Sequence, residues 1–156
     1  MRVGLGYDVH QIVPDRDLWL GGIQIEAGFG LLGHSDADVL IHSICDALLG
    51  AACLRDIGYH FPDSDPRYKG IDSKQLLAEV VAQLHRNGYT VGNVDTTVCC
   101  EHPRLRPHIP AMQQCLAKVL HTETDNISIK ATTTEHLGFT GREEGISAYA
   151  VVLIEK

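Results

Sequence analysis

Leu76, Leu77, Val80, Val81 and Leu84 recur at the three-and-four spacing of one helical face within DSKQLLAEVVAQLHRNG, residues 72–88. The pattern predicts an amphipathic helix capped at its start by Ser73 and ended by Gly88. A second helix is expected in DADVLIHSICDALLGAACL (36–54), with Asp36 or Asp38 near its start. It is apolar almost all round, which marks a helix buried on most sides. IPAMQQCLAKVL (109–120) reads as a third. Strands are expected at residues 2–10, 89–101, 126–133 and 145–155, and LWLGGIQI (18–25) reads as a hairpin turning at Gly21 and Gly22. EAGFGLLG (26–33) and GYHFPDSDPRYKG (58–70) read as loops. Together these predict an α+β fold: a two-layer sandwich with helices on one face of a mixed four-stranded sheet, plus a small N-terminal hairpin, in a single domain over residues 1–156.

Two of these elements carry polar residues where apolar ones belong. In a strand, residues two apart share a face, so Asp8 and His10 present a carboxylate and an imidazole side by side. In the apolar helix, Asp38, His42 and Asp46 stand at i, i+4 and i+8 and form one polar stripe. Each group has an ordinary reading as a mutually satisfied pair. Taken together, Asp8, His10 and His42 offer one carboxylate and two imidazoles, a ligand set suited to Zn²⁺ with a fourth position open. Asp38 or Asp46 would then hold the free nitrogen of a ligand imidazole. Both readings require partners, and only the second requires the strand and the helix to meet.

Composition narrows the function classes. At 156 residues, 44% hydrophobic and 21% charged, the chain has the balance of an ordinary globular domain. A net charge of −7 and a pI near 5.6 argue against a nucleic-acid surface, which needs a basic stripe. They leave room for a small anionic ligand, because one metal ion can outweigh the global sign. No apolar run is long enough for a membrane helix and no secretory pattern opens the chain, so a cytoplasmic location is expected. Five cysteines, at 45, 53, 99, 100 and 115, show no CxxC spacing and read as buried free thiols.

Several longer strings are distinctive: GYDVH, GLLGHSDADVLIHSICDALLGAACLRDIGYHFPDSD, GYTVGNVDTTV, PHIPAM and IKATTTEHLGFTGREEGI. Through them the chain resembles, nearly end to end, the 2-C-methyl-D-erythritol 2,4-cyclodiphosphate synthase family. The resemblance implies a homotrimeric enzyme of non-mevalonate isoprenoid synthesis, with active sites at subunit interfaces. Its substrate would be 4-diphosphocytidyl-2-C-methyl-D-erythritol 2-phosphate, its cofactors Zn²⁺ and a second ion, Mg²⁺ or Mn²⁺. By the same resemblance Asp8, His10 and His42 match zinc ligands, and His34 and Ser35 match substrate and phosphate contacts. Asp56 and Gly58 match ribose and erythritol contacts, and Phe61, Pro62, Asp63, Ser64 and Asp65 a mobile loop over the erythritol. Thr132, Thr133 and Glu135 match the diphosphate and second-metal region, and Phe139 and Arg142 a further contact segment.

The nucleotide stretch departs from the family's usual A-x-x-P-K. Here it reads Cys100, Glu101, His102, Pro103, Arg104, followed by Leu105 and Arg106. Arg104 keeps a cation without a lysine's compact ammonium, whereas recognition through backbone groups over 100–106 needs no particular side chain. Thr132 with Glu135 also has the S/T-x-x-E spacing of a helix capping box. Arg142, Glu143 and Glu144 read either as a surface charge cluster or as groups facing the trimer axis.

The implied chemistry agrees with the residues present. A phosphate monoester is largely dianionic near neutrality, with a second pKa of about 6, so the nucleophile needs no strong base. The main obstacle is repulsion between two anions, and cations and hydrogen-bond donors such as His34 and Thr133 relieve it. Two other classes remain open on the sequence. One is a zinc phosphohydrolase acting on a nucleoside diphosphate ester. The other is a non-catalytic trimeric module with a structural zinc that binds nucleotides or isoprenoid phosphates.

Overall fold

The computed structural model describes residues 1–156. Strand β1 (Arg2–Val13) pairs antiparallel with β7 (Gly145–Glu155), placing Tyr7 opposite Tyr149 and His10 opposite Ile146. β7 pairs antiparallel with β5 (Thr90–Cys99), and β5 pairs parallel with β6 (Ile127–Thr132). The parallel pair is joined across one face by helix α4 (Ile109–Leu120), the connection a parallel pair needs. The sheet is therefore mixed, as expected. It has five strands rather than four, because Gly30–Leu31 of the expected loop adds β4 beside the far end of β1.

The separate hairpin of β2 (Leu18–Leu20) and β3 (Ile23–Ile25) turns where expected. Gly21 and Gly22 have φ of 60° and 79°, and a turn with two successive left-handed residues selects glycine. Helix α1 (Val39–Ala51) is buried along nearly its whole length, with β1 and β7 on one side and α3 (Ser73–Arg86) on the other. The main apolar cluster joins α1, α3 and α4 to the inner face of the sheet, through side chains such as Leu40, Leu77, Met112, Ile146 and Val152.

Local details correct three expectations. Asp72, not Ser73, caps α3, accepting a hydrogen bond from the Lys74 amide at 2.9 Å, which leaves the Ser73 hydroxyl free for another task. The expected loop at 58–70 contains a one-turn helix α2 (Ile57–His60), capped by Asp56, and a 3₁₀ turn at Pro66–Tyr68. The cysteines are all free, but only Cys45 and Cys100 are buried, while Cys53 is exposed.

The approach of α1 to β1 decides the site. A Cβ on Gly4 would stand 1.9 Å from the Ala47 carbonyl oxygen, and one on Gly6 1.9 Å from that of Ser43. Two missing side chains therefore let the helix backbone lie directly on the strand. The next residues on that face of β1 are Asp8 and His10, and the next helical turn towards the N-terminus carries His42.

Candidate metal centre and substrate clefts

Asp8, His10 and His42 meet where β1 runs out from under α1. His10 Nε2 is 3.0 Å from Asp8 Oδ2 and 3.0 Å from His42 Nδ1, and His42 Nδ1 is 3.1 Å from Asp8 Oδ2. Three donors held by one tetrahedral Zn²⁺, each about 2.0–2.1 Å from it, stand roughly 3.3 Å apart. The observed triangle has nearly that size, so the donor set fits a single small cation.

Proton accounting points the same way. His10 Nδ1 lies 2.7 Å from the Leu32 carbonyl oxygen, which can only accept, so in a neutral ring Nε2 carries the lone pair. Burial disfavours charge on Asp8, but hydrogen bonds from His10 and His42 and their charge outweigh it and hold the carboxyl down to about 2. Burial likewise opposes protonation of His10, and the hydrogen bond and charge of Asp8 overcome it, leaving the His10 pKa raised. The cluster demands positive charge, from a proton or from a metal.

Neither Asp38 nor Asp46 holds a ligand imidazole, contrary to expectation. Asp38 is fully buried and accepts from the amides of Gly21, Gly22 and Ile41, tying the hairpin turn to the start of α1. Burial raises its pKa in spite of those amides. Asp46 accepts from the Ile57 amide at 2.8 Å and so anchors α2. The outer nitrogen of His42 instead faces two serines, Ser73 Oγ at 2.9 Å and Ser35 Oγ at 3.2 Å. Sequence reading overlooked Ser73 as a partner because its spacing suited a helix cap.

The triad opens into a cleft of about 610 Å³ that also takes in His34, Ser35, Gly58, Phe61, Pro62 and Asp63. His34 Nε2 is buried and has no hydrogen-bond partner within the chain. A buried polar atom left in that state costs free energy unless a ligand pairs with it. Asp56, Ser64 and Asp65 do not line the cleft. Asp56 caps α2 through the Tyr59 amide, and Asp65 caps the 3₁₀ turn and holds Arg67 in an exposed ion pair at 2.6 Å.

A second cleft, of about 210 Å³, is lined by Cys100, Arg104, Leu105, Arg106, Thr132 and Thr133, among others, and shares no residue with the first. Leu105 and Cys100 are buried in the core, so they offer a ligand their backbone rather than their side chains. Thr133 Oγ1 donates to Glu135 Oε1 at 2.9 Å in an exposed turn where Glu135 and His136 have φ of 53° and 62°. Thr132 donates to the Thr133 carbonyl, so the capping box does not form, and α5 (Gly138–Gly141) begins only later. The turn is instead anchored by Glu101, which accepts from the amides of Thr134 and His136 at 3.0 and 3.4 Å. Sequence reading missed Glu101 because its partners lie more than 30 residues away. Phe139 and Arg142 line neither cleft, and Arg142 is engaged in a bidentate pair with Glu144.

The model of the YgbB family matches residues 1–155. The chain belongs to the YgbB family. The protein named 2-C-methyl-D-erythritol 2,4-cyclodiphosphate synthase in Parabacteroides distasonis is 66% identical over 156 residues, covering all of this chain and 97% of that one. The Bacteroides thetaiotaomicron protein of the same name is 65% identical, covering all of this chain and 98% of its own length. Among solved structures of the family, a synthase with CDP bound superposes with a TM-score of 0.91 at 34% identity, covering 99% and 100% of the two chains. The bifunctional IspDF of Campylobacter jejuni superposes with a TM-score of 0.95 at 42% identity over 98% of this chain, which spans 42% of that longer protein.

Proposed function

We propose that this enzyme converts 4-diphosphocytidyl-2-C-methyl-D-erythritol 2-phosphate into 2-C-methyl-D-erythritol 2,4-cyclodiphosphate and CMP. In this reaction an oxygen of the 2-phosphate bonds to the β-phosphorus. The bond from that phosphorus to the oxygen it shares with the α-phosphate breaks, and CMP leaves with the electron pair. No water is consumed, so the enzyme is a cyclising phosphorus–oxygen lyase. The observation that carries the reading is the Asp8–His10–His42 triangle at the mouth of an open cleft, in a chain matched along its length by synthases of this name.

Asp8, His10 and His42 would hold Zn²⁺, and Glu135 a second ion, Mg²⁺ or Mn²⁺. The cations supply charge neutralisation to phosphate oxygens that would otherwise repel the incoming dianion. The chain itself binds and orients. His34, with its unpartnered buried nitrogen, and Thr133, whose hydroxyl would turn to the ligand from Glu135, would donate to charge growing on the transferred group. Ser35 and Thr132 would contact phosphate. Asp56, Gly58 and residues 61–65 would contact ribose and erythritol, backbone groups and cations over 100–106 the cytidine, and Phe139 and Arg142 a further part of the ligand. Arg104 serves there in place of a lysine.

The active unit in this reading is a cytoplasmic homotrimer of single-domain chains. Two observations support it. The metal triad and the nucleotide cleft are separate within one chain, which suits a site completed across an interface. The sheet face away from the helices exposes Val3, Leu5, Tyr7 and Val9 of β1 beside Tyr149 and Val151 of β7, an apolar surface that a partner chain would cover. No helix is long and apolar enough to cross a membrane.

Turnover in ¹⁸O-labelled water tests the reaction: the cyclic product and CMP should both emerge unlabelled. Label in the released phosphate product would replace this reading with the hydrolase. His42→Ala should abolish turnover while the trimer persists, and full activity in metal-depleted His42→Ala protein would remove the zinc mechanism. Glu135→Gln should raise the Mg²⁺ concentration needed for half-maximal rate. An unchanged requirement would take Glu135 out of the second site.

A further inference from the structure

A serine hydroxyl can donate or accept, so a serine beside a ligand histidine does not by itself decide which ring nitrogen keeps the proton. Ser73 is fully buried beside His42, and its hydroxyl is not free to choose. It donates to Asp36 Oδ1 at 2.5 Å, and a carboxylate can only accept. The Ser73 oxygen therefore has only lone pairs left for His42 Nε2, 2.9 Å away, so Nε2 must be the N–H donor. Ser35 Oγ, the other neighbour of Nε2, already accepts from the Ala37 amide and has a further lone pair available. A neutral imidazole has one N–H, so holding it on Nε2 leaves Nδ1, which faces Asp8 and His10, with the lone pair a metal needs; in the zinc-free chain Asp8 Oδ2, 3.1 Å from Nδ1, draws the same proton the other way.

Asp36 is itself held in place. Its Oδ2 accepts from the Ser73 amide at 2.9 Å, its Oδ1 from the Asp38 amide at 3.1 Å, and its own N–H donates to the Ile71 carbonyl at 3.1 Å. The two ligand histidines are thus polarised by different means. His10 leans on the Leu32 carbonyl, an acceptor by constitution, whereas His42 leans on a group that becomes an acceptor only because Asp36 takes its proton.

We propose that Asp36 and Ser73 are a positioning pair for metal capture: Asp36 orients the Ser73 hydroxyl, and Ser73 holds His42 in the tautomer whose Nδ1 can bind Zn²⁺. The inference rests on the triad's reading as a zinc site. Asp36→Ala removes the group that takes the Ser73 proton, which releases the hydroxyl to donate to His42 and moves the ring proton to Nδ1. Ser73→Ala removes the acceptor altogether. Partners of this kind typically contribute about 10- to 100-fold in metal affinity.

Two measurements on the full-length, zinc-free protein test the pair. Long-range ¹H–¹⁵N correlation spectra at alkaline pH should show His42 as the Nε2–H tautomer in the wild type and a shift towards Nδ1–H in Asp36→Ala. Competition with a chromophoric chelator should show Zn²⁺ binding weakened by about 10- to 100-fold in Asp36→Ala and Ser73→Ala. A wild-type His42 found as Nδ1–H overturns the proposal whether or not the variants fold. Wild-type zinc affinity retained in folded variants overturns it as well. If the wild type shows the expected tautomer yet binds no zinc, the metal reading of the triad fails first, and the spectra separate that failure from failure of the relay.

Discussion

At the scale of single residues, the Asp8–His10 contact gives the zinc-free protein a defined pH profile. His10 has a raised pKa, so its stabilising contribution is complete below its ordinary 6.5 and is lost as pH rises through the raised value. Asp8 has a lowered pKa, so its contribution is present above its ordinary 3.8 and is lost as pH falls towards about 2. Urea unfolding of the zinc-free chain should therefore show a stability loss on the alkaline side that His10→Asn removes. An alkaline limb that survives in His10→Asn would show that His10 is not its source. Zinc held by His10 would compete with its proton, so Zn²⁺ affinity should climb with pH across the same interval, and a pH-independent affinity would count against His10 as a ligand. The identity of the donors was readable from the chain, since a carboxylate and two imidazoles in apolar elements need partners. Their outer contacts were not, because Ser73 and the Leu32 carbonyl reach them only through folding.

At the scale of elements, the strand and helix that hold the triad depend on how closely their backbones approach. Gly6→Ala would drive a methyl group to 1.9 Å from the Ser43 carbonyl oxygen and 2.8 Å from the Ala47 amide nitrogen, both backbone atoms of α1. The expected cost is about 3 kcal/mol in unfolding free energy, with weaker zinc binding because His42 is pushed away from Asp8 and His10. Gly50→Ala is the contrasting change: the site is open and lies within α1, so it should gain about 0.5–1 kcal/mol from helix propensity. Equal effects of the two substitutions in denaturant titrations would refute the close-approach account. The helices and the long strands were legible from their apolar spacing. Strand β4 was not, because two residues set among glycines carry no period and pair only once β1 lies alongside. The cap of α3 was misassigned because adjacent Asp72 and Ser73 both suit a helix start, and the chain places the serine on Asp36 instead.

At the scale of the whole molecule, the exposed face of β1 and β7 carries the prediction. Leu5 is 69% exposed and points away from the helices, so Leu5→Glu should leave the protomer's fold intact. In a trimer that covers this face, the buried charge should dissociate the assembly and reduce turnover together with it. Sedimentation velocity and circular dichroism read the two effects separately. A wild-type chain that sediments as a monomer, or a Leu5→Glu trimer, would reject the assembly proposed. Charge balance, the lack of a basic stripe and the family strings were all open to reading in one dimension. The separation of the triad cleft from the cleft at Cys100 and Arg104 required the fold, because the first draws on residues from 8 to 76 and the second on residues from 100 to 133.

By itself, the order of residues determined the local periods, the inventory of donors and the family, since each depends on identity and spacing along one segment. Tertiary structure alone decided that Asp8, His10 and His42 converge, that Ser73 and not Asp38 or Asp46 backs His42, and that Glu101 braces the turn of Thr133 and Glu135. The reason is physical: a hydrogen bond or a ligand triangle is fixed to tenths of an ångström by contacts between segments. Here two absent β-carbons set the decisive distance.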